Sequence, residues 1–303
     1  MIMEENGRRE FITTVTKALG ASAVILSPAV GMARSVWENE NSFTVQQIMD
    51  LIIKEIPGAP FKDTVDTLKS GSPDQIVTGI VSTSFATIEI IEKTAKLGAN
   101  FIITHEPTFY THRDETEWLE SNPVYQYKRD LLKKYNIAVW RFHDYWHSYV
   151  QDGVQTGVLT TLGWEKFADK NELHTVTLSP TSMKKIVSHV KAKLGIKMVR
   201  TIGDPSQICK RVALFPGAAG VKRQVTWLEK IKPDVCIVGE LSEWELGEYI
   251  RDARSKGEKI SLIVLSHAVS EEPGMRRLVT WLEPRIPGIK VTHVPAMNPF
   301  SFM

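Results

Sequence analysis

The sequence predicts an α/β protein built on mostly parallel sheets. Three observations point to that class. Short apolar runs alternate with segments of helical period, the runs are rich in Ile, Val and Phe, and nothing beyond Ala33 approaches membrane-spanning length. The 303 residues, 43% of them hydrophobic, suffice for one large core or two modest ones. A net charge of +2 from 37 basic and 35 acidic side chains leaves no field that would recruit nucleic acid or an anionic membrane, and neither is expected as a partner.

In chain order, strand candidates at 75–81, 101–104 and 137–142 are separated by helical patterns at 87–97 and 124–134. Strand, helix, strand is the βαβ unit, which sets consecutive strands parallel. After Trp164 the rhythm changes. A strand at 174–178, a helix at 181–194 opened by Ser179-Pro180 and a strand at 198–202 read as a layer of their own. The βαβ alternation resumes with strand 210–215, helix 224–230, strand 234–238, helix 243–255, strand 260–265 and helix 274–282. Pro216-Gly217-Ala218-Ala219-Gly220 marks one strand-to-helix junction, where the glycines can let backbone amides approach an anion. It lacks the Lys-Ser/Thr ending of a P-loop, and neither a Gly-x-Ser-x-Gly elbow nor a dinucleotide fingerprint occurs.

Residues 1–33 differ in character. Gly7-Arg8-Arg9-Glu10-Phe11-Ile12 precedes an uncharged stretch at 18–33 that closes on Gly31-Met32-Ala33, which resembles a twin-arginine export leader cleaved after Ala33. Pro28 interrupts the apolar run, so a bilayer span is not expected, and the mature protein is expected to be exported, periplasmic or extracellular. Cys209 and Cys236 both fall in apolar, strand-like runs and read as buried thiols on neighbouring strands.

Three strands end alike. Residues 101–104 lead into His105-Glu106, 139–142 into His143-Asp144-Tyr145-Trp146-His147, and 262–266 into His267-Ala268-Val269-Ser270-Glu271; a fourth, 236–238, ends in Gly239-Glu240. In open α/β sheets ligands bind outside the carboxyl ends of strands, so these side chains can converge. The four-residue spacings add that His143 and His147 share one helical face, as do His267 and Glu271. Imidazole with carboxylate and no cysteine suits catalytic zinc, manganese or iron rather than a thiolate structural site. His105, Glu106, His147, His267 and Glu271 are the expected ligands. Five ligands exceed the needs of one four-coordinate ion, so two divalent ions with Glu271 between them are expected. Glu240 and His143 are the candidates for proton handling.

In this combination the motifs resemble the Ngg-interacting-factor-three family, the type 2 homologues of GTP cyclohydrolase I. Its members carry a strand followed by His-His-Pro, a later His-x-x-x-Asp, and near the C-terminus Thr-Gly-Glu and His-x-x-x-Glu. Here these read Thr104-His105-Glu106-Pro107, His143 to His147, Val238-Gly239-Glu240 and His267 to Glu271, over roughly residues 45–303. The resemblance implies two interlocked α/β halves, taken here as 36–165 and 166–303, with a dinuclear metal site between them, a toroidal hexamer and GTP ring opening as one possible reaction. Two positions depart from the pattern. Glu106 stands where the family has histidine and His147 where it has aspartate, a trade that keeps three nitrogens and two carboxylates in the set. The glycine-bearing start of relatives is reduced here to Thr67-Leu68-Lys69-Ser70-Gly71.

Around this set, Asp144 is a candidate to orient a histidine, and Glu272 with Pro273 reads as a helix start. Tyr110, His112 and Arg113 are candidate substrate contacts, and Trp140, Tyr145 and Trp146 either stack on a ring or fill the core. Two functions stay open: a metal-dependent hydrolase acting on an unidentified small molecule, and a non-catalytic metal-binding scaffold or carrier.

Overall fold

The computed structural model describes residues 42–301 and Met303. The expected leader at 1–33, and residues 36–41 of the expected first half, lie outside the described residues. Helix α1 (Val45–Ile53) begins at a reciprocal cap between Thr44 and Gln47 and buries Val45, Ile48 and Ile52. Strands β1 (Leu68–Ser70) and β2 (Ile80–Thr83) follow. The strand expected at 75–81 therefore lies later: Ile76 is half exposed, touches strand structure through a single bridge to Thr44, and precedes Gly79. Helix α2 (Ile88–Lys96), capped by the Thr87 hydroxyl, leads to β3 (Phe101–Thr104). Helix α3 (Pro123–Lys134), capped by Asn122 with proline in its first turn, leads to β4 (Ala138–Arg141). Helices α4 (Asp144–Ser148) and α5 (Gly153–Leu162) come next.

The chain continues through β5 (Thr175–Ser182), α6 (Met183–Leu194), β6 (Arg200–Ile202), β7 (Ile208–Phe215), α7 (Val221–Ile231) and β8 (Val235–Val238). A π-turn (Glu243–Gly247), α8 (Glu248–Ser255), β9 (Ser261–Val264), α9 (His267–Leu282) and β10 (Val291–His293) complete it. Two five-stranded sheets result, ordered β1-β4-β3-β2-β10 and β5-β7-β8-β9-β6. Only β1, β5 and β6 run antiparallel, each at a sheet edge.

Residues 174–202 are thus not a separate layer, because β5 and β6 supply the two edges of the second sheet. Pro180 does not open α6; it sits in β5 where the register slips between Thr177 and Thr181, an edge irregularity that tolerates a residue without N–H. Helix α9 starts seven residues earlier than expected, with Pro273 inside it. Its start carries no side-chain cap, since Ser266 holds φ +103 and turns the chain sharply. Residues 267–293, assigned to the second half by sequence, return to the first: Met275, Leu278 and Leu282 enter its core and β10 pairs with β2.

The period of two in each strand divides the cores. Phe101, Ile103 and Trp140 face α1 and α9 across one face of the first sheet, while Ile102 and Val139 face α2 and α3 across the other. In the second sheet Val212, Leu214 and Ile237 pack with α5 and α6, and Ala213, Phe215 and Val238 with α7 and α8. Strands covered on both faces are buried throughout, as parallel strands are. Cys209 and Cys236 lie in opposite faces of the second sheet as free buried thiols; burial pushes Cys209 up to about 11 and raises Cys236 further. Among the described residues no helix is long and apolar enough to cross a membrane.

Candidate metal centre

The carboxyl ends of β3 and β4 from one sheet and of β7 and β9 from the other face a common pocket of about 490 Å3. His105 follows β3 and is fully buried; its Nδ1 lies 3.1 Å from the Phe142 carbonyl. A carbonyl only accepts, so Nδ1 carries the proton and the Nε2 lone pair is bare. Burial, reinforced by His143 and His147, holds this imidazole well below the usual histidine range and hence neutral.

The other three imidazoles repeat the arrangement. His143 donates from Nδ1 to Asp144 at 2.8 Å, His147 to Asp152 at 3.0 Å and His267 to Glu240 at 2.9 Å. The rings of His105, His143 and His147 gather with centroids 4.7–4.9 Å apart. The His147 amide donates to the His143 carbonyl at 3.0 Å, which is how the four-residue spacing brings the two rings together.

Two carboxylates enter the same space. Glu106 Oε1 lies 3.4 Å from His267 Nε2, 3.7 Å from His143 Nε2 and 4.0 Å from His105 Nε2, while Oε2 is held by the fully buried Arg141 at 3.4 Å. Burial alone would raise Glu106, but the imidazole of His267 and the others around it hold it well below the usual carboxylate range. Glu271, one turn into α9, places Oε1 3.7 Å from His105 Nε2 and Oε2 3.2 Å from His267 Nε2; burial raises its pKa. For His267 burial opposes the charge, yet Glu271, Glu106 and Glu240 together push it up to about 12. His147 is likewise lowered by burial and raised, on balance, by Asp152.

Donors each about 2.1 Å from one tetrahedral ion stand roughly 3.4 Å apart, the spacing seen here. His105 Nε2, His267 Nε2 and Glu271 Oε2 are buried without a hydrogen-bond partner, which a folded protein avoids unless something else satisfies them. The residues therefore fit metal ions. Two three-donor groups, His105/His143/His147 and His105/Glu106/Glu271, meet at His105. Glu106 and His147 thus fall in different groups joined by one imidazole. A third group, Asp66/His143/Asp144, is already committed: Asp66 accepts the amides of His143, Asp144 and Tyr145, and Asp144 accepts from Thr64, Val65 and His143.

Gly217 closes the wall. At φ +66 it presents no side chain, and a Cβ there would lie 2.0 Å from Glu271 Oε1. Gly217→Ala is expected to displace the Glu271 carboxylate and weaken metal binding at least tenfold with the sheets intact. Competition against a chromogenic chelator checks this, and wild-type affinity would mean that the glycine serves only the turn.

Several expectations are corrected. Glu272 is not a helix terminus but a buried acceptor for Ser84 Oγ (2.5 Å), the Ala296 amide (2.7 Å) and His293 Nε2 (2.6 Å), tying α9 to β2 and β10. Trp140, Tyr145 and Trp146 are 0–3% exposed and belong to the core, so none stacks on a ligand. Arg113 is turned to solvent in a pair with Asp63, His112 lines the pocket edge-on to His143, and Tyr110 belongs to a different cavity. Glu240 touches His267 on the side away from Nε2. Sequence reasoning passed over Asp66, Asp152 and Arg141. An arginine inside the apolar run Val139-Trp140-Arg141-Phe142 was the available signal for the last, and Asp152-Gly153 reads only as a helix cap.

Two α/β sheets that meet at their strand ends around four imidazoles and two carboxylates define an α/β protein with a cluster able to hold metal ions. The chain belongs to the Duf34/NIF3 (NGG1p interacting factor 3) family, whose family model matches residues 44–299. It is 23% identical over 267 residues to a GTP cyclohydrolase 1 type 2 homolog of Clostridium perfringens, covering 83% of this chain and 97% of that relative. Its fold is that of Staphylococcus aureus protein SA1388, with TM-score 0.70, 17% identity and coverage of 87% of this chain and 99% of the other. A Bacillus cereus protein related to NIF3 matches with TM-score 0.69 and 15% identity, over 87% and 100% of the two chains.

Proposed function

We propose that the protein is a dinuclear, divalent-metal-dependent hydrolase of a small phosphoester, amide or ring amidine. One observation carries this reading: His105, His143, His147 and His267 each commit Nδ1 to an oxygen, which leaves Nε2 for the cavity that Glu106 and Glu271 also enter. Zinc, iron or manganese ions held by His105, Glu106, His147, His267 and Glu271 would supply Lewis acidity and acidify water near neutral pH. Glu271 directs one oxygen to His105 and the other to His267, the disposition of a bridging carboxylate. Glu240 orients His267 through Nδ1, and His143, part exposed at the pocket with its Nδ1 on Asp144, is placed to take a proton. The relatives' name suggests GTP ring opening, but the leader read at residues 1–33 would place this protein outside the cytosolic GTP pool.

Elemental analysis of freshly purified protein is expected to find about two divalent ions per chain, and the loaded protein to turn over one of a panel of phosphoesters, nucleotides and cyclic amides. His267→Ala should abolish turnover without changing assembly size. Protein that neither retains nor binds a divalent ion would end the proposal. Metal entry must also displace the proton that Glu271, Glu106 and Glu240 hold on His267, so apparent affinity is expected to rise with pH, about tenfold per unit for each proton displaced. Calorimetry in buffers of different ionisation enthalpy counts those protons, and a count of zero would contradict the ligand role of His267.

A further inference from the structure

A second cavity, of about 870 Å3, shares the His267 ring as a wall with the metal-facing pocket. That volume is in the range of pockets for small organic ligands. Most of its wall is apolar, with Phe85, Val199, Leu265, Met297 and Pro299 among the lining side chains. The charged groups on the wall are matched, with one exception. Glu240 accepts from His267 at 2.9 Å, and Arg200 pairs with Glu243. The exception is Lys128, only 4% exposed, whose ammonium has the Thr108 carbonyl as its one acceptor among the described residues. The rings of Phe109 and Tyr110, with centroids 5.7 and 5.3 Å away, attract the cation without accepting its remaining N–H groups. Asp114, whose charge reaches Lys128, is paired with Lys69 at 3.2 Å.

Beside it Thr108 is fully buried, lines the same cavity, and has a hydroxyl with no hydrogen-bond partner among the described residues. An ammonium short of acceptors and an orphan hydroxyl, side by side against an apolar cavity, are both costly unless a ligand satisfies them. The cost shows in Lys128 itself, which burial brings down to about 8.

We propose that this cavity binds a small organic monocarboxylate with an apolar body, its carboxylate received by the Lys128 ammonium and the Thr108 hydroxyl. One cation in a low-dielectric wall compensates one negative charge, whereas a phosphate dianion would bring a second with nothing to meet it. Both donors suit a carboxylate, which only accepts, and the apolar wall receives the rest of the ligand. This inference goes beyond the metal reading, because neither Lys128 nor Thr108 belongs to the donor groups of the metal centre.

The test uses full-length protein with its metal content recorded, titrated at pH 7 with 2-naphthoate and with the neutral 2-naphthamide. The acid is expected to bind wild type and to lose at least tenfold in affinity in Lys128→Met, with the amide equally weak for both proteins and metal content unchanged. On wild type alone, 2-naphthoate is expected to slow reductive methylation of Lys128 relative to exposed lysines, read by peptide mass spectrometry, which decides the matter even if the variant fails to fold. Equal affinity for acid and amide, undiminished binding by Lys128→Met, an unprotected lysine, or no binding at millimolar acid because a second copy of the chain covers the cavity would each overturn the proposal.

Discussion

Glu106→Ala is expected to strip metal from the centre and, separately, to destabilise the metal-free protein by about 3–5 kcal/mol. The two effects have distinct causes. Metal is lost because Oε1 is the oxygen that faces the Nε2 atoms of His105, His143 and His267. Stability is lost because Oε2 is, among the described residues, the only carboxylate oxygen on Arg141, a guanidinium with no exposed surface whose other partners are the carbonyls of His105 and His112. Removing the acid leaves a buried charge uncompensated. His147→Ala should also lose metal, yet with little change in fold, since Asp152 still accepts the amides of Val154 and Gln155 at the start of α5. Metal analysis with urea unfolding of the chelated proteins measures both quantities. Wild-type metal content in both variants would dissolve the idea that an imidazole and a carboxylate have traded places in this shell.

The second large effect is expected at the contact between α5 and α9 and has an unusual sign. Glycine to alanine inside a helix ordinarily stabilises by about 1 kcal/mol. At Gly157, in the middle of α5, a Cβ would lie 2.6 Å from Gly274 Cα and 2.6 Å from the Pro273 carbonyl, both backbone of α9. The reciprocal clash, Gly274 against Val154 Cα at 2.7 Å, shows the two helices in direct backbone contact. Gly157→Ala is therefore expected to destabilise by roughly 1–3 kcal/mol, since neither backbone can step aside without dragging a core with it. For a chain of this size that lowers Tm by several degrees. A Tm equal to or above wild type in a thermal scan would show that α5 and α9 are not packed as described.

The sequence revealed those features that depend on local pattern. Strands β3, β4, β8 and β9 are short runs buried on both faces, and their apolar continuity up to a histidine or glutamate made both strand and site legible. The helical spacing of His143 with His147 and of His267 with Glu271 was legible for the same reason. What escaped depends on distant partners. The start of α9 carries no cap, being set by Ser266 at φ +103, whose amide donates to the Gly239 carbonyl at 2.9 Å. Asp152 and the Phe142 carbonyl orient imidazoles only once α5 and β4 stand beside them. Arg141 reads as an interruption in a strand until Glu106 is placed against it.

The return of α9 and β10 to the first sheet has a consequence for how the molecule is made. Its N-terminal half is synthesised first, but the helix that fills one face of that half, and the strand that completes its sheet, are encoded at 267–293. The ribosome must release the chain through β10 before β2 finds its outer neighbour, a closure across some two hundred residues of the kind that slows folding. His267 and Glu271 arrive on that same later segment, so a nascent chain holds only part of the donor set until α9 has emerged.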